Sequence, residues 1–130
     1  MKLKNMEKTH FRVFLVDPVA RTINPRYLDK KTKEFGIDVQ RMIGAGLLGH
    51  HKVGDIGVYG LHVAGDAEAP KGTVGFRFEG FDCEPTAGAG VIFGSSSIQD
   101  QVRLMQSPVG LEWILNHIIW TDAAETDGSA

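Results

Sequence analysis

The stretch VGFRFEGFDCEPTAGAGVIFG, residues Val74 to Gly94, decides the fold class of this chain. It joins two runs with strong strand preference through a glycine-rich connection. In the first run alternate positions are apolar, which is the period of a strand that buries one face. The stretch carries no nucleophile, metal-ligand set or phosphate loop in an arrangement that catalysis requires. It therefore favours a structural or binding role over an enzymatic one.

Length and composition predict one globular domain. The chain has 130 residues, 42% of them hydrophobic and 23% charged, and its net charge of −2 provides no field to steer nucleic acid. The start shows no apolar core of a secretory signal, and no apolar run is long enough for a bilayer, so we expect a cytoplasmic protein with no membrane partner. We expect a flexible N-terminus over residues 1–10, the domain over 11–122 and a disordered tail over 123–130.

The N-terminal part predicts a hairpin. Phe11–Val16 is rich in β-branched and aromatic residues and predicts a buried strand. Asp17–Ala20 has the residues of a type I turn, and Arg21–Leu28 would return as a second strand. Pro25 has no N–H to give to a neighbour, so that second strand should lie at a sheet edge.

The rest of the chain predicts two helices among further strands. A helical period runs from Asp29, as N-cap, to Ile43, and Gly44 would end it in a left-handed conformation. The other predicted elements are strands Leu47–Val53, Ile56–Val63, Thr73–Glu79 and Ala89–Phe93, a helix opened by Ser107–Pro108 with the buried stripe Leu111, Ile114, Leu115 and Ile118, and a short strand at Ile119–Thr121. This order lacks long crossover helices, so it favours an α+β domain with one antiparallel sheet of about five strands and two helices.

Two glycine clusters resemble nucleotide-binding motifs. Gly44–Gly49 matches G-x-G-x-x-G, but a helix precedes it and a strand follows, which is the reverse of what a dinucleotide site needs. In the second cluster Gly88 and Gly90 mark a strand entry, where glycine allows a bulge or a close backbone approach. The segment 94–97 that follows is either a solvated loop or an anion-binding loop. Gly88, Gly90 and Ser95 are therefore candidate binding residues.

Three histidines suggest a metal site as an alternative. His50 and His51 are adjacent on a predicted strand, so they point to opposite faces. His62 lies on the next strand, and a hairpin turn at Gly54–Asp55 would leave it outside the first cross-strand shell of His50. His50, His62 and Asp55 are thus weak candidates for a metal-assisted hydrolase site. Exposed or hydrogen-bonded histidines on a sheet are the favoured interpretation.

Other candidate residues have structural explanations of equal or greater weight. Cys83 stands between two acidic residues, which raise a thiol pKa, and is interpreted as a passive residue. Trp113 points away from the predicted helix stripe and suits either a protein contact or the edge of the core. Lys30, Lys31 and Lys33 provide a basic patch for a nucleic-acid-binding alternative, but acidic neighbours interrupt it.

Several motifs give the chain a family resemblance. They are VDPVARTI (Val16–Ile23), MIG (Met42–Gly44), GVYGLHV (Gly57–Val63), and FRFEG followed by PTAGAGVIFG between Phe76 and Gly94. On these motifs the chain resembles small α+β proteins of phages and plasmids whose domain has no assigned function. The resemblance implies an accessory role in a mobile element, with no activity or catalytic residue to carry over.

Taken together, the sequence predicts a non-enzymatic binding or interaction module without a cofactor. Under the resemblance, it would act on a host protein or a small ligand. An exposed edge strand also makes a protein partner or self-association into a homo-oligomer the expected kind of contact. The metal-assisted hydrolase and the nucleic-acid-binding protein remain the alternatives.

Overall fold

The computed structural model describes residues 9–70, 72–98 and 101–122. Within these ranges the elements are β1 (His10–Asp17), β2 (Thr22–Asp29), α1 (Phe35–Ile43), β3 (Leu48–Ile56), β4 (Tyr59–Asp66), β5 (Gly75–Phe78), β6 (Thr86–Ala87), β7 (Gly90–Ile98), β8 (Gln101–Met105), α2 (Leu111–His117) and β9 (Ile118–Thr121). No helix of the described ranges is long and apolar enough to cross a membrane. The predicted tail and most of the predicted N-terminal segment lie outside the described residues, and the strand predicted from Phe11 begins one residue earlier, at His10.

The strands form two antiparallel sheets. Sheet A has six strands in the order β2-β1-β7-β4-β3, and β8 pairs with the second half of β7. Sheet B has three strands in the order β6-β5-β9. The α+β prediction is confirmed, including the two helices among the described residues, whereas the division into two sheets was not predicted.

Each face of sheet A contributes to a hydrophobic core. The face toward sheet B and α2 contributes to an inner core, whose buried members are Phe14, Val16, Val53, Leu61, Val63, Phe76, Phe78, Ile92, Val109 and Ile114. The face toward α1 contributes to an outer core, whose buried members are Phe11, Val13, Leu28, Val39, Ala64, Val91 and Phe93. Neighbouring residues of β1, β4 and β7 alternate between the two cores because side chains of a strand alternate between its faces.

The first hairpin agrees with its sequence prediction. Asp17 Oδ1 accepts hydrogen bonds from the N–H groups of Val19 at 2.9 Å and Ala20 at 3.2 Å, which holds the turn. Among the described strands β2 pairs with β1 alone, so Pro25 lies on an edge strand. The missing N–H of proline therefore costs sheet A no hydrogen bond between strands.

The first helix is shorter than its predicted range. Its N-cap is Glu34 rather than Asp29, which ends β2 and accepts a hydrogen bond from the Lys31 N–H. The carboxylate of Asp29 is therefore used in a turn, as is common for Asp. The predicted end is confirmed, since Gly44 caps the helix with a φ of 69°.

The hairpin of β3 and β4 turns later than the sequence predicts. Ile56 pairs with Tyr59, which leaves Gly57 and Val58 as a two-residue loop. Gly57 has a φ of 62°, a conformation that glycine adopts without steric cost. The predicted turn at Gly54–Asp55 is wrong, because both residues continue β3 past a bulge that lies between Lys52 and Gly54.

The region after Phe93 departs further from the prediction. Segment 94–97, interpreted as a loop, continues β7 to Ile98, and β8 had no sequence signal. Ser107 does not cap α2, whose N-cap is Gly110. Its hydroxyl instead donates to the Val109 carbonyl at 2.8 Å. The prediction ended β7 at Phe93 because Gly94 and the serines after it have loop preference, whereas pairing with β4 and β8 keeps them in the strand.

The predicted stripe of α2 is also wrong in part. Ile114 is fully buried, but Leu111 is 40% exposed and Leu115 is 59% exposed. The helix has only seven residues, and Trp113 packs against the inner core beside Ile114. The short strand predicted at its exit is confirmed as β9.

Candidate functional site

A cluster of three polar side chains lies on three neighbouring strands of sheet A. His50 is on β3, His62 on β4 and Ser95 on β7. The His62 Nε2 atom lies 2.7 Å from Ser95 Oγ, and His62 Nδ1 lies 3.0 Å from His50 Nε2. Both nitrogens of His62 are therefore engaged, and the three side chains form one hydrogen-bonded chain, which we call the His–His–Ser relay.

The strand register explains why these residues meet. His50 pairs with Ala64 and Gly60 pairs with Ser95, so His62 is the next residue on the same face of β4 for both partners. The predicted register, which kept His62 away from His50, was wrong because the hairpin turns at Gly57 and carries a bulge. Of the three metal candidates, the structure brings His50 and His62 into contact. It also adds Ser95, predicted separately as a binding residue.

Glycine and phenylalanine shape the relay. A Cβ at Gly60 would lie 2.6 Å from Ser95 Oγ and 2.8 Å from His62 Nε2, so only glycine leaves room for their contact. The Phe93 ring, which is buried in the outer core, stacks on His62 with ring centroids 5.3 Å apart. It also lies 5.5 Å from the His50 ring. The two imidazoles are thus held against an aromatic surface that limits their rotation.

The surroundings of His62 favour its neutral form. Burial lowers the pKa of His62 below its ordinary value of 6.5, and the charges of His50 and Lys52 lower it further, while Asp55 acts in the opposite direction. A neutral imidazole has one nitrogen that donates and one that accepts a hydrogen bond. His62 can therefore accept from Ser95 on one side and donate to His50 on the other.

Asp55 belongs to an ion pair rather than to the relay. Its Oδ1 atom lies 2.7 Å from Lys52 Nζ, and both side chains are more than half exposed. Within the described ranges no group of three or more histidine, cysteine, aspartate or glutamate side chains could hold a metal ion. The predicted metal site of His50, His62 and Asp55 therefore gains no geometric support.

The other predicted binding residues have structural surroundings. Trp113 is partly buried against the inner core and stacks on His117 with ring centroids 3.9 Å apart. Gly88 has a φ of 76° just before β7, and a Cβ at Gly90 would lie 2.9 Å from Phe76. These two glycines serve the turn and the close packing of the sheets.

Cys83 fits its interpretation as a passive residue. It packs partly buried against the inner core. Burial raises the pKa of the Cys83 thiol, Asp82 raises it further, and Arg77 opposes this. The thiol is thereby kept from the reactive thiolate form near neutral pH.

A second candidate site is a cavity of about 510 Å³ at the junction of β1 and β8. Strand β1 pairs with β7 through residues 14–16, and from Gly94 onward β7 pairs with β8 instead. The Ser107 N–H then donates to the Arg12 carbonyl at 2.8 Å, which ties the end of this chain segment to β1. The cavity lining consists of His10, Phe11, Arg12, Tyr27, Lys30, Leu104, Met105 and Gln106.

The cavity lining carries positive charge. Arg12 and Lys30 contribute cations, and the lining residues that the structure describes include no aspartate or glutamate. The Arg12 guanidinium carbon lies 5.1 Å from the centre of the Phe14 ring, and its Nε atom is buried without a partner among the described residues. Arg12 forms no ion pair within those residues. The charge of this guanidinium is therefore not compensated by a carboxylate of the described chain.

Sequence reasoning missed Arg12 and Tyr27. One signal was available, since Arg12 alternates with Phe14 and Val16 on the face that enters the inner core. A charged side chain at the end of such a stripe indicates a special environment, because burial of an unpaired charge is costly. Lys30, predicted for nucleic-acid contact, lines the same cavity.

Comparison with known proteins identifies no relative from which a role could be taken. No protein-family model, curated protein or solved structure matches the chain. The resemblance to phage and plasmid proteins stays a prediction. Function must therefore be argued from the relay and the cavity themselves.

Proposed function

We propose that this protein binds a small amphipathic anion in the cavity between β1 and β8. The ligand class is a carboxylate, phosphate or sulfonate attached to an apolar body. The observation that carries the proposal is the Arg12 guanidinium, whose buried Nε atom has no partner among the described residues, in a cavity whose described lining holds a second cation and no carboxylate. This proposal is a specific form of the binding module that the sequence predicts.

The positive charge of the cavity lining favours a negatively charged ligand. A guanidinium presents several N–H donors in a planar fork that matches two oxygens of a carboxylate or phosphate. Contact with the Phe14 ring holds the Arg12 side chain in one place, so little conformational freedom remains to be lost on binding. Lys30 and the hydroxyl of Tyr27 supply further donors at the same lining.

The apolar lining selects the rest of the ligand. Phe11, Leu104 and Met105 contribute apolar surface, and Leu104 is 50% exposed. A volume of about 510 Å³ lies in the range of small-molecule sites. Burial of an alkyl or aromatic body would add to the charge contact, so a bare inorganic anion should bind more weakly than an amphipathic one.

The experiment uses isothermal titration calorimetry with octanoate and with its uncharged analogue octanamide. We expect octanoate to bind the wild-type chain more tightly, because only the carboxylate engages Arg12. Arg12→Gln should weaken octanoate binding roughly 10-fold or more, which is the loss of a charge-assisted hydrogen bond. Its effect on octanamide should be small.

Arg26→Gln is the matched control. Arg26 lies next to Tyr27 on β2 but is exposed and donates to the Pro25 carbonyl. Equal affinity of Arg12→Gln and Arg26→Gln for octanoate would contradict the proposal, as would equal wild-type affinity for octanoate and octanamide. Native mass spectrometry of the purified protein adds a direct test, because a bound natural ligand would appear as mass that is lost on denaturation.

A further inference from the structure

The His–His–Ser relay has the geometry of an activated nucleophile. We propose that Ser95 forms a covalent adduct with small acyl or sulfonyl electrophiles, while His62 accepts its proton and His50 positions His62. The proposal goes beyond ligand binding in the cavity and does not depend on it. It rests on two hydrogen bonds, one between Ser95 Oγ and His62 Nε2 at 2.7 Å and one between His62 Nδ1 and His50 Nε2 at 3.0 Å.

The contacts match what a serine nucleophile needs. A serine hydroxyl is a weak nucleophile unless a base lies within hydrogen-bond reach of its proton. The base in turn must be held in the correct tautomer by a third group on its other nitrogen. In the relay His62 is the base and His50 is the third group: His62 donates its Nδ1 proton to His50 Nε2, which leaves His62 Nε2 free to accept the Ser95 proton.

The position of Ser95 on the sheet makes the relay accessible. Ser95 is only partly buried, and it lies directly across from Gly60, which places no side chain over it. On its other side Ser95 pairs with Leu104, which is half exposed. Within the described residues no side chain stands over Ser95 on the Gly60 side, so a small electrophile can approach Ser95 Oγ there.

The reaction is a simple displacement. With phenylmethanesulfonyl fluoride, Ser95 Oγ bonds to sulfur, the S–F bond breaks, fluoride leaves and the hydroxyl proton passes to His62. With p-nitrophenyl acetate, Oγ bonds to the acyl carbon and p-nitrophenolate leaves, which gives an acetyl ester on Ser95 that water then hydrolyses. The third group is an imidazole and not a carboxylate, so it stabilises the charged form of His62 less, and we expect slow turnover.

The test measures adduct formation by intact-mass spectrometry of the full chain after incubation with phenylmethanesulfonyl fluoride. We expect one adduct per chain, and peptide mapping should place it on Ser95. Ser95→Ala should abolish it, and His62→Gln should slow it by roughly 100-fold or more, the size of a general-base contribution. His50→Gln should slow labelling less than His62→Gln does, because His50 acts through His62.

Ser96→Ala is the matched control. Ser96 is the neighbour of Ser95 on β7, and its side chain lies on the opposite face of sheet A. This variant should label at the wild-type rate. Circular dichroism and thermal unfolding of each variant separate a chemical loss from a folding loss.

Two outcomes overturn the proposal. One is the absence of an adduct on wild-type protein, which is the result expected where His62 donates to Ser95 instead of accepting its proton. The other is an adduct that maps elsewhere or persists at the same rate in His62→Gln. Should Ser95→Ala fail to fold, the peptide map of the labelled wild-type chain decides the question alone.

Discussion

The two faces of sheet A differ in how far their cover extends. The inner face lies under a second sheet and α2, and its side chains Phe14, Val63 and Ile92 are fully or almost fully buried. Among the described residues the outer face lies under α1. It is apolar as far as Phe93 and then becomes polar at His62 and Ser95.

This difference follows from the dimensions of the covering elements. Helix α1 has nine residues and spans about 13 Å, whereas the nine residues of β7 span about 30 Å. The helix therefore covers only the first part of β7. The relay lies where the cover by α1 ends, since polar side chains there keep access to water.

The largest expected effect comes from removing an aromatic ring on each side. Phe78→Ala deletes a side chain that is 1% exposed in the inner core and should lower the free energy of unfolding by about 3–5 kcal/mol. Phe35→Ala deletes a partly buried ring of α1 and should cost about 1–2 kcal/mol. Urea denaturation of both variants measures the difference. Equal losses of unfolding free energy in the two variants would contradict the view that packing on the inner face of sheet A contributes more to stability than packing under α1.

Replacing one glycine on each face of sheet A by alanine should have an intermediate effect on stability. Gly90→Ala places a Cβ 2.9 Å from the Phe76 ring and 3.1 Å from Val63, so overpacking should cost about 1–3 kcal/mol. Gly60→Ala crowds Ser95 and His62, but these can rotate toward solvent, so we expect a smaller loss of stability. Thermal unfolding measures both losses.

The variants Gly60→Ala and Gly90→Ala also test the relay. Gly60→Ala should slow labelling of Ser95, because the new methyl group separates Oγ from His62 Nε2. Gly90→Ala, which is distant from the relay on the inner face, should label at the wild-type rate where it is folded. Unchanged labelling of Gly60→Ala would show that the short contact is not needed.

The smallest expected effect is a loss of stability in acid. Burial, followed by the charge of His50, lowers the pKa of His51 and of His62 below 6.5. The unfolded chain then binds more protons as the pH falls below about 6.5, so the stabilisation from neutral rings is complete above that pH and declines below it. Because both rings are partly exposed and screened by solvent, we expect less than about 1 kcal/mol in total.

Urea denaturation at about pH 7.5 and at about pH 5.5 measures this effect within the range that histidine titration covers. His51→Gln and His62→Gln should each reduce the difference between the free energies of unfolding at the two pH values. If a variant keeps the full wild-type difference in the free energy of unfolding between the two pH values, the histidine that it replaces does not contribute to the loss of stability in acid.

Local signals in the sequence predicted the first hairpin and the end of α1. The period of Phe11–Val16, the turn at Asp17 and the edge position of Pro25 depend on neighbouring residues only, and the structure agrees with each. Gly44 likewise ends α1 through its own backbone conformation. These features were predictable because no distant contact decides them.

The candidate sites depend on distant contacts and were therefore missed in part. Gly54 resembles a turn residue, but it lies within β3 where the Phe81 ring leaves no room for a side chain, and Gly57 forms the turn. That shift, together with the bulge between Lys52 and Gly54, brings His62 to His50. The cavity forms where β1 stops pairing with β7 and β8 begins to pair with it. No local pattern of the sequence reveals this change of partner.

Strand β7 has a consequence for the order of events in folding. It pairs with β1, β4 and β8, and it lies between the β1–β2 and β3–β4 hairpins. Both hairpins are synthesised before residues 90–98, so the edges of β1 and β4 that β7 later covers stay open until β7 pairs with them. Closure of sheet A then requires contacts across most of the chain, which slows folding relative to hairpin formation. The nascent chain thus passes through a period in which these two edges can pair with other chains, and synthesis of β7 ends it.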